Sequence, residues 1–294
     1  MKKLLIVVLA VVMAAAVFCS CSAPASDDAA ADEPAATDEA AAADDTSADD
    51  AAATDETASD DLGDFDGTLT VGFDQNFPPY GYVGDDGEFT GFDLDLAAEV
   101  AQRNGWEVGY QPIDWDSKDM ELDSGTIDCI WNGFTMNGRE DLYTWSEPYL
   151  DNSQVFVVKA DSGIETVADL TDKIVSVQTD SAAQSALDEE ENADLKASFK
   201  DLVVVADYNT AFMDLEAGAV DAIAMDIGVA YFQMSGRETE FKILDETLQD
   251  EQYAVGFKLG NTALRDKVQE ALNAMIEDGT FAQLAEKYDI KLAE

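Results

Sequence analysis

The chain has 294 residues, with 63 Asp and Glu against 16 Lys and Arg, a net charge of −47 and no histidine. Such an acidic chain repels nucleic-acid phosphates, which excludes nucleic acid as a partner. Without histidine there is no Ser-His-Asp triad, histidine general base or histidine zinc site, and the sequence carries no metal or cofactor motif.

In chain order, Met1-Lys2-Lys3 precedes an unbroken apolar run from Leu4 to Phe18. A positive start and a short apolar run are the format of a signal peptide, whereas a membrane helix needs roughly 20 apolar residues. Cys19-Ser20-Cys21-Ser22 follows, and the stretch resembles a bacterial lipoprotein signal, cleaved before a cysteine that receives lipid. That cleavage favours a small residue before the cysteine. Ser20 precedes Cys21 and bulky Phe18 precedes Cys19, so 1–20 is expected to be the signal and Cys21 the lipidated (palmitate-bearing) residue. Residues 21–66 are mostly Ala, Asp, Glu, Ser and Thr, with no Lys or Arg between Lys3 and Arg103. This segment has little to bury and repels itself, so a disordered acidic linker is expected, spanning roughly 35–40 Å. After cleavage only Cys129 remains free, no intramolecular disulfide is available, and Ile127-Asp128-Cys129-Ile130-Trp131 reads as buried strand.

From Thr68 the pattern alternates between strand and helix. Strands are expected over Thr68–Phe73, Trp106–Pro112, Thr126–Trp131, Lys173–Gln178, Leu202–Ala206 and Val220–Met225. Helices are expected from Asp93, its N-cap, to a stop at Gly105, then over Asp116–Ser124, Asp180–Glu190, Tyr208–Ala217 and from Asn261 onward. Such alternation implies an α/β fold of mostly parallel sheets flanked by helices.

Four ordered segments carry a more specific likeness: Leu69 to Tyr82 (LTVGFDQNFPPYGY), Gly91 to Trp115, Gly125 to Asp141 with Trp145 to Tyr149, and Leu215 to Asp226 (LEAGAVDAIAMD). Together they resemble the family 3 extracellular solute-binding proteins, the polar amino acid-binding components of ABC importers. The resemblance implies a two-lobed, type II periplasmic-binding-protein-like fold. Lobe 1 would span 67–157 with 253–294, and lobe 2 would span 158–252. Crossings near Phe156–Lys159 and Gln252–Gly256 would form the hinge. It also implies a monomer, held at the membrane by its N-terminal lipid, that traps an amino acid between closing lobes and delivers it to an ABC transporter permease. No enzyme activity or cofactor is expected. The rival readings are a ligand-sensing subunit of a receptor and a dehydratase-type enzyme on the same fold.

By the same resemblance, Arg139 grips the ligand carboxylate, which its planar fork can bond twice. Asp226 takes the ammonium, or alternatively caps the helix that follows it. Asn132, Gly133 and Thr135 supply polar and backbone contacts, and Phe77 and Trp115 sandwich the ligand side chain. Asp74 meets the far end of that side chain or caps its own loop. Ser181 and Ala182 open a helix facing the ligand carboxylate, with Asp180 as a rival cap. Only Met136-Asn137-Gly138 separate Thr135 from Arg139, one residue fewer than the family commonly has, which makes the reach of Arg139 the point to examine.

Overall fold

The computed structural model describes Leu62 and residues 65–292. The expected signal peptide, Cys21 and nearly all of the linker lie outside these residues. Among the described residues, no helix is long and apolar enough to cross a membrane.

The chain begins with β1 (Thr68–Phe73), then a small sheet of β2 (Asn76–Phe77), β3 (Gly81–Val83) and β4 (Phe89–Thr90). Helix α1 (Phe92–Asn104), β5 (Glu107–Pro112), α2 (Lys118–Ser124), β6 (Cys129–Ile130) and β7 (Thr144–Trp145) follow. Next come β8 (Leu150–Lys159), β9 (Ile174–Gln178), α3 (Ala182–Asp188), α4 (Ala193–Ser198), β10 (Asp201–Val205), α5 (Tyr208–Ala217), β11 (Ala222–Asp226) and α6 (Ile227–Met234). The last elements are β12 (Phe241–Ile243), β13 (Gln249–Tyr253), β14 (Gly256–Phe257), α7 (Thr262–Asp278) and α8 (Thr280–Lys287).

Two larger sheets organise these elements. The first has the order β5-β1-β6-β14-β7, and the second β10-β9-β11-β8-β12, with β13 also paired to β8. In each, three strands run parallel and the returning strands are antiparallel, so the sheets are more mixed than the alternation alone suggests. Helices cover them, as the amphipathic patterns require. In α1, Leu94, Ala97, Val100 and Ala101 are buried, each large side chain contributing about 1.5–3 kcal/mol through removal from water.

The first crossing between sheets departs from expectation. Val155 to Val158 are buried because β8 runs between β11 and β12 inside the second sheet. All of β8 belongs there, so the chain crosses over 146–149 rather than at Phe156–Lys159, and the boundary expected at 157 falls inside a strand. An apolar run reads alike as a passage or as a fully flanked strand; only the pairing distinguishes them. The return crossing, at 254–255, falls within the expected Gln252–Gly256. Two shorter differences have identifiable causes. The strand expected over Thr126–Trp131 narrows to Cys129–Ile130, because the Asp128 carboxylate takes the Thr70 N–H at 2.7 Å in place of a ladder bond.

Asp93 is not the cap of α1. The cap is Gly91, at φ 147° and ψ 163°, a conformation open essentially to glycine alone. Asp93 lies inside the first turn, fully buried, where its Oδ2 accepts the Gly133 N–H at 2.5 Å and the Tyr149 hydroxyl at 2.8 Å. It therefore ties α1 to the loop after β6. Burial pushes its carboxyl up to about 7, against the pull of those two bonds.

Two outcomes follow from this junction. A Cβ at residue 91 would stand 2.1 Å from the Tyr80 carbonyl oxygen. Gly91→Ala should therefore cost at least about 2 kcal/mol in urea unfolding, strain and clash together; an unchanged midpoint would refute the tight approach. For Asp93, the folded pKa of about 7 lies above the ordinary 3.8. Its contribution to stability is thus full below about pH 4 and lost as pH rises through 7. Between pH 5 and 8 the domain should lose on the order of 2–3 kcal/mol from this group. Asp93→Asn should flatten that slope in unfolding curves taken across pH.

Candidate functional site

Loops at the carboxyl ends of β1, β6, β9 and β11 converge on a narrow cleft between the two large sheets, where open α/β sheets place ligands. The first-sheet wall carries Phe77, Trp115, Asn132, Gly133, Thr135 and Arg139, and the facing wall carries Gln178, Ser181, Ala182 and Asp226. The structure thus brings together nine of the ten residues expected from the sequence; Asp74 does not line the cleft. It stands behind Gln178, where its Oδ1 accepts the Asn76 N–H at 2.8 Å and its Oδ2 the Gln178 amide at 2.7 Å. Burial raises its carboxyl to about 6. Asp74 caps its own loop and positions Gln178.

Arg139 reaches the cleft despite the short approach. Its N–H bonds back to the Met136 carbonyl at 2.9 Å, closing the turn. The turn is clamped to β13: Met136 N–H donates to the Gln252 carbonyl at 3.0 Å, and Gln252 N–H to Asn137 Oδ1 at 2.8 Å. The guanidinium lies 5.4 Å from the Phe134 ring centre. It donates to two carbonyl oxygens, Thr135 at 3.2 Å and Asp180 at 3.3 Å. No carboxylate of a described residue pairs with it. The neighbouring Glu140 accepts the Gly138 N–H instead.

Asp226 ends β11, and its side chain makes no bond to the start of α6, so it is not a helix cap in the side-chain sense. The carboxylate accepts the Asn152 amide at 3.1 Å and the Tyr253 hydroxyl. Burial pushes its pKa above the ordinary carboxylate range. Its partners are dipoles rather than cations.

The polar floor leaves a donor to spare. Asn132 accepts the Asp74 N–H at 3.0 Å, and its own Nδ2 is buried without a partner. Gly133, at φ 56°, has no room for a side chain: a Cβ there would stand 2.9 Å from the Phe77 ring and 3.0 Å from the Tyr253 ring. Phe77 also packs 6.0 Å from Tyr208, and Trp115 sits edge-on to Phe134 at 5.6 Å, so both aromatics serve the core and the cleft at once.

The start of α3 differs from expectation. Ser181, not Asp180, is the cap, its hydroxyl accepting the Gln184 N–H at 3.1 Å. Asp180 adopts φ 53°, which turns its carboxylate away from the helix to an ion pair with Lys118 of the opposite wall. Lys118 is only 2 % exposed and lies over the Trp115 ring at 5.5 Å. The sequence reading missed it, as it missed Gln178 and the polar row Asn152, Gln154, Glu251 and Tyr253 behind Asp226. A lone Lys in an acidic stretch was the available signal for Lys118, and position at a strand's carboxyl end for Gln178.

Contacts across the cleft join the two halves: Asp74–Gln178, Lys118–Asp180, Arg139 to the Asp180 carbonyl, Asn209 to Asn76 at 3.3 Å, and the Tyr82 and Phe232 rings at 5.3 Å. The structure is therefore a closed one. No group of acids and cysteine among the described residues forms a metal-binding cluster.

Comparison with known proteins agrees with this geometry. The family model for bacterial extracellular solute-binding proteins, family 3, matches residues 69–291. The L-cystine-binding protein TcyJ of Escherichia coli K12 is 31% identical over 225 residues, covering 76% of this chain and 82% of that protein. The arginine-binding extracellular protein ArtP of Bacillus subtilis is 27% identical over 227 residues, covering 75% and 85%. Among solved structures, an ABC uptake transporter substrate-binding protein from Streptococcus pneumoniae with bound histidine superimposes with a TM-score of 0.72 at 35% identity, covering 75% of this chain and 92% of that one. Fold and sequence agree over nearly the whole described domain, and the chain belongs to the bacterial extracellular solute-binding proteins, family 3.

Proposed function

We propose that this chain is the extracytoplasmic substrate-binding component of an ABC importer for a polar amino acid, which it traps between its two lobes. The observation that carries this reading is the pair of unmatched charges on opposite walls: the Arg139 guanidinium without a carboxylate and the buried Asp226 carboxylate without a cation. A zwitterionic amino acid supplies both missing partners at once, and burial of either charge alone is costly. The Asn132 amide and Thr135 add polar contacts for the carboxylate, and Phe77 and Trp115 flank the side chain. Relatives named for cystine and arginine, and a solved relative holding histidine, bind the same kind of molecule. The acidic Asp180 beside the cleft favours a neutral or basic side chain over an acidic one. The related proteins are named for binding rather than turnover, and binding without catalysis is the activity assigned here.

The ligand meets the first wall through Arg139 and then gains Asp226 on closure, so binding shifts the population toward the closed form. A permease would recognise that form. Upstream, residues 1–20 act as signal, Cys21 carries lipid, and 21–66 tether a monomeric domain to the membrane.

Mass spectrometry of ligand released from the purified protein, followed by calorimetry across the amino acids, tests the reading; failure of every amino acid to bind would reject it. Arg139→Ala should weaken binding by about 100-fold, through loss of charge-assisted hydrogen bonds to a buried carboxylate. Undiminished affinity would reject that role. Lys118→Met should weaken it only a few-fold, because the Asp180 end of the Lys118–Asp180 pair is half exposed and the pair acts on closure alone. Radiolabelled palmitate should be lost in Cys21→Ser and kept in Cys19→Ser; the reverse would move the anchor to Cys19.

A further inference from the structure

Behind Asp226 lies a second acid that the binding reading does not use. Glu251 sits on β13, 3 % exposed, opposite Asn152 of β8. The Asn152 side-chain amide bridges the two acids, donating at 3.1 Å to Asp226 Oδ1 and at 2.7 Å to Glu251 Oε1. Gln154 adds a bond of 2.7 Å to the same Glu251 oxygen. The other oxygen, Oε2, is buried with no atom at hydrogen-bonding geometry. One neutral amide therefore stands between both carboxyls.

The surroundings offer no positive charge to either acid. Tyr80 from the loop after β2, Tyr208 of α5 and Tyr253 of β13 face the pair, all held neutral by burial. The Thr135 hydroxyl faces Glu251. Arg139 lines the same cleft but donates to the carbonyl oxygens of Thr135 and Asp180. Two buried carboxylates bridged by one neutral amide, with no cation between them, do not both ionise readily. Burial and the Asp226 charge accordingly push Glu251 well above the ordinary carboxylate range.

We infer that Glu251 carries a proton in the unliganded protein and releases it when a ligand ammonium docks on Asp226, so that binding is coupled to loss of one proton. This rests on the reading of Asp226 as the ammonium site. The balance is simple: Asp226 carboxylate, protonated Glu251 and the ammonium go to an Asp226–ammonium ion pair with a Glu251 carboxylate behind it, plus one proton delivered to solvent. The ammonium supplies the cation the pair lacks, and only then is the second ionisation favourable. Glu251 thereby becomes a specificity-determining residue, acting through Asp226, that rewards a protonated amine over an uncharged or acylated one.

Calorimetry at pH 7 in phosphate and in Tris, whose ionisation enthalpies differ, reads the proton directly. The probe is whichever of L-cystine, L-arginine, L-histidine and L-glutamine binds tightest. The wild-type chain should release between about 0.5 and 1 proton per ligand, and its affinity should rise with pH by up to about tenfold per unit below the Glu251 pKa. Glu251→Gln should release no proton, show a flat pH profile and bind about tenfold or more weakly than wild type at pH 8. Equal enthalpies in the two buffers for the wild-type chain would overturn the inference while leaving the ammonium site standing, whether or not the variant folds. Proton release that persists in a folded Glu251→Gln would assign it elsewhere and also overturn the inference. If neither these four nor any other amino acid binds, the ammonium reading of Asp226 fails, and the inference with it.

Discussion

A charge inside a narrow cleft must find a partner, and in this protein two of the cleft charges, Asp226 and Arg139, find only dipoles. Asp226 is met by an amide and a phenol, Arg139 by two carbonyl oxygens. Each arrangement tolerates the charge without neutralising it. Had Asp226 been placed beside Lys118, or Arg139 beside Glu140, the site would satisfy itself and have little to gain from a ligand. Much of the architecture serves to keep these partners apart. The two charges sit on different sheets, Asp180 draws Lys118 to itself, and the clamp of β13 on the 136–138 turn aims Arg139 inward. An incoming zwitterion then replaces weak dipole contacts with two charge-assisted ones, and that difference is what can drive closure.

The bonds that hold the halves together are of a different kind. Apart from Lys118–Asp180, the cross-cleft contacts join neutral groups to one another or to a single charge, and that ion pair has a half-exposed acid. Such contacts are individually worth about a kilocalorie or less. They suit a joint that must open again. Buried apolar groups also join the halves: one core cluster runs from β1 and α1 to β8, β11, α5 and α6, and a second packs β8, β9 and β11.

What the sequence made legible was local. Nine cleft residues lie in continuous motifs at the ends of strands, where a loop's chemistry and its position in the fold are read from the same few letters. The failures are all nonlocal. Whether Val155–Val158 cross between sheets or fill one depends on β11 and β12, more than 60 residues downstream. Asp180 looked like a helix cap because its role is set by Lys118, which is remote in sequence. Glu251 was invisible for a compositional reason: among 63 acidic residues, one more in Gln249-Asp250-Glu251-Gln252 reads as solvated surface. Strand alternation places it inward, opposite Asn152, while Asp250 and Gln252 face out. That parity can be assigned only once β13 is known to be a strand.

The charge that opened the reading of this chain, −47 overall, bears on the site less than its size suggests. At physiological ionic strength, exposed charges are screened beyond about 8 Å, so the surface acids act on approach and not inside the cleft. On approach they favour cationic ligands and oppose anionic ones. Within the cleft, local groups decide. A ligand carboxylate entering this acidic protein depends on Arg139 and the neutral donors around it, because Lys118 is already paired with Asp180. The ammonium has the opposite situation, with two buried acids behind one another and only one needed for a salt bridge. The site is thus asymmetric by construction. It is sparing where it must attract an anion and over-supplied where it must attract a cation, and the surplus acid is the group free to take up the role of a proton store.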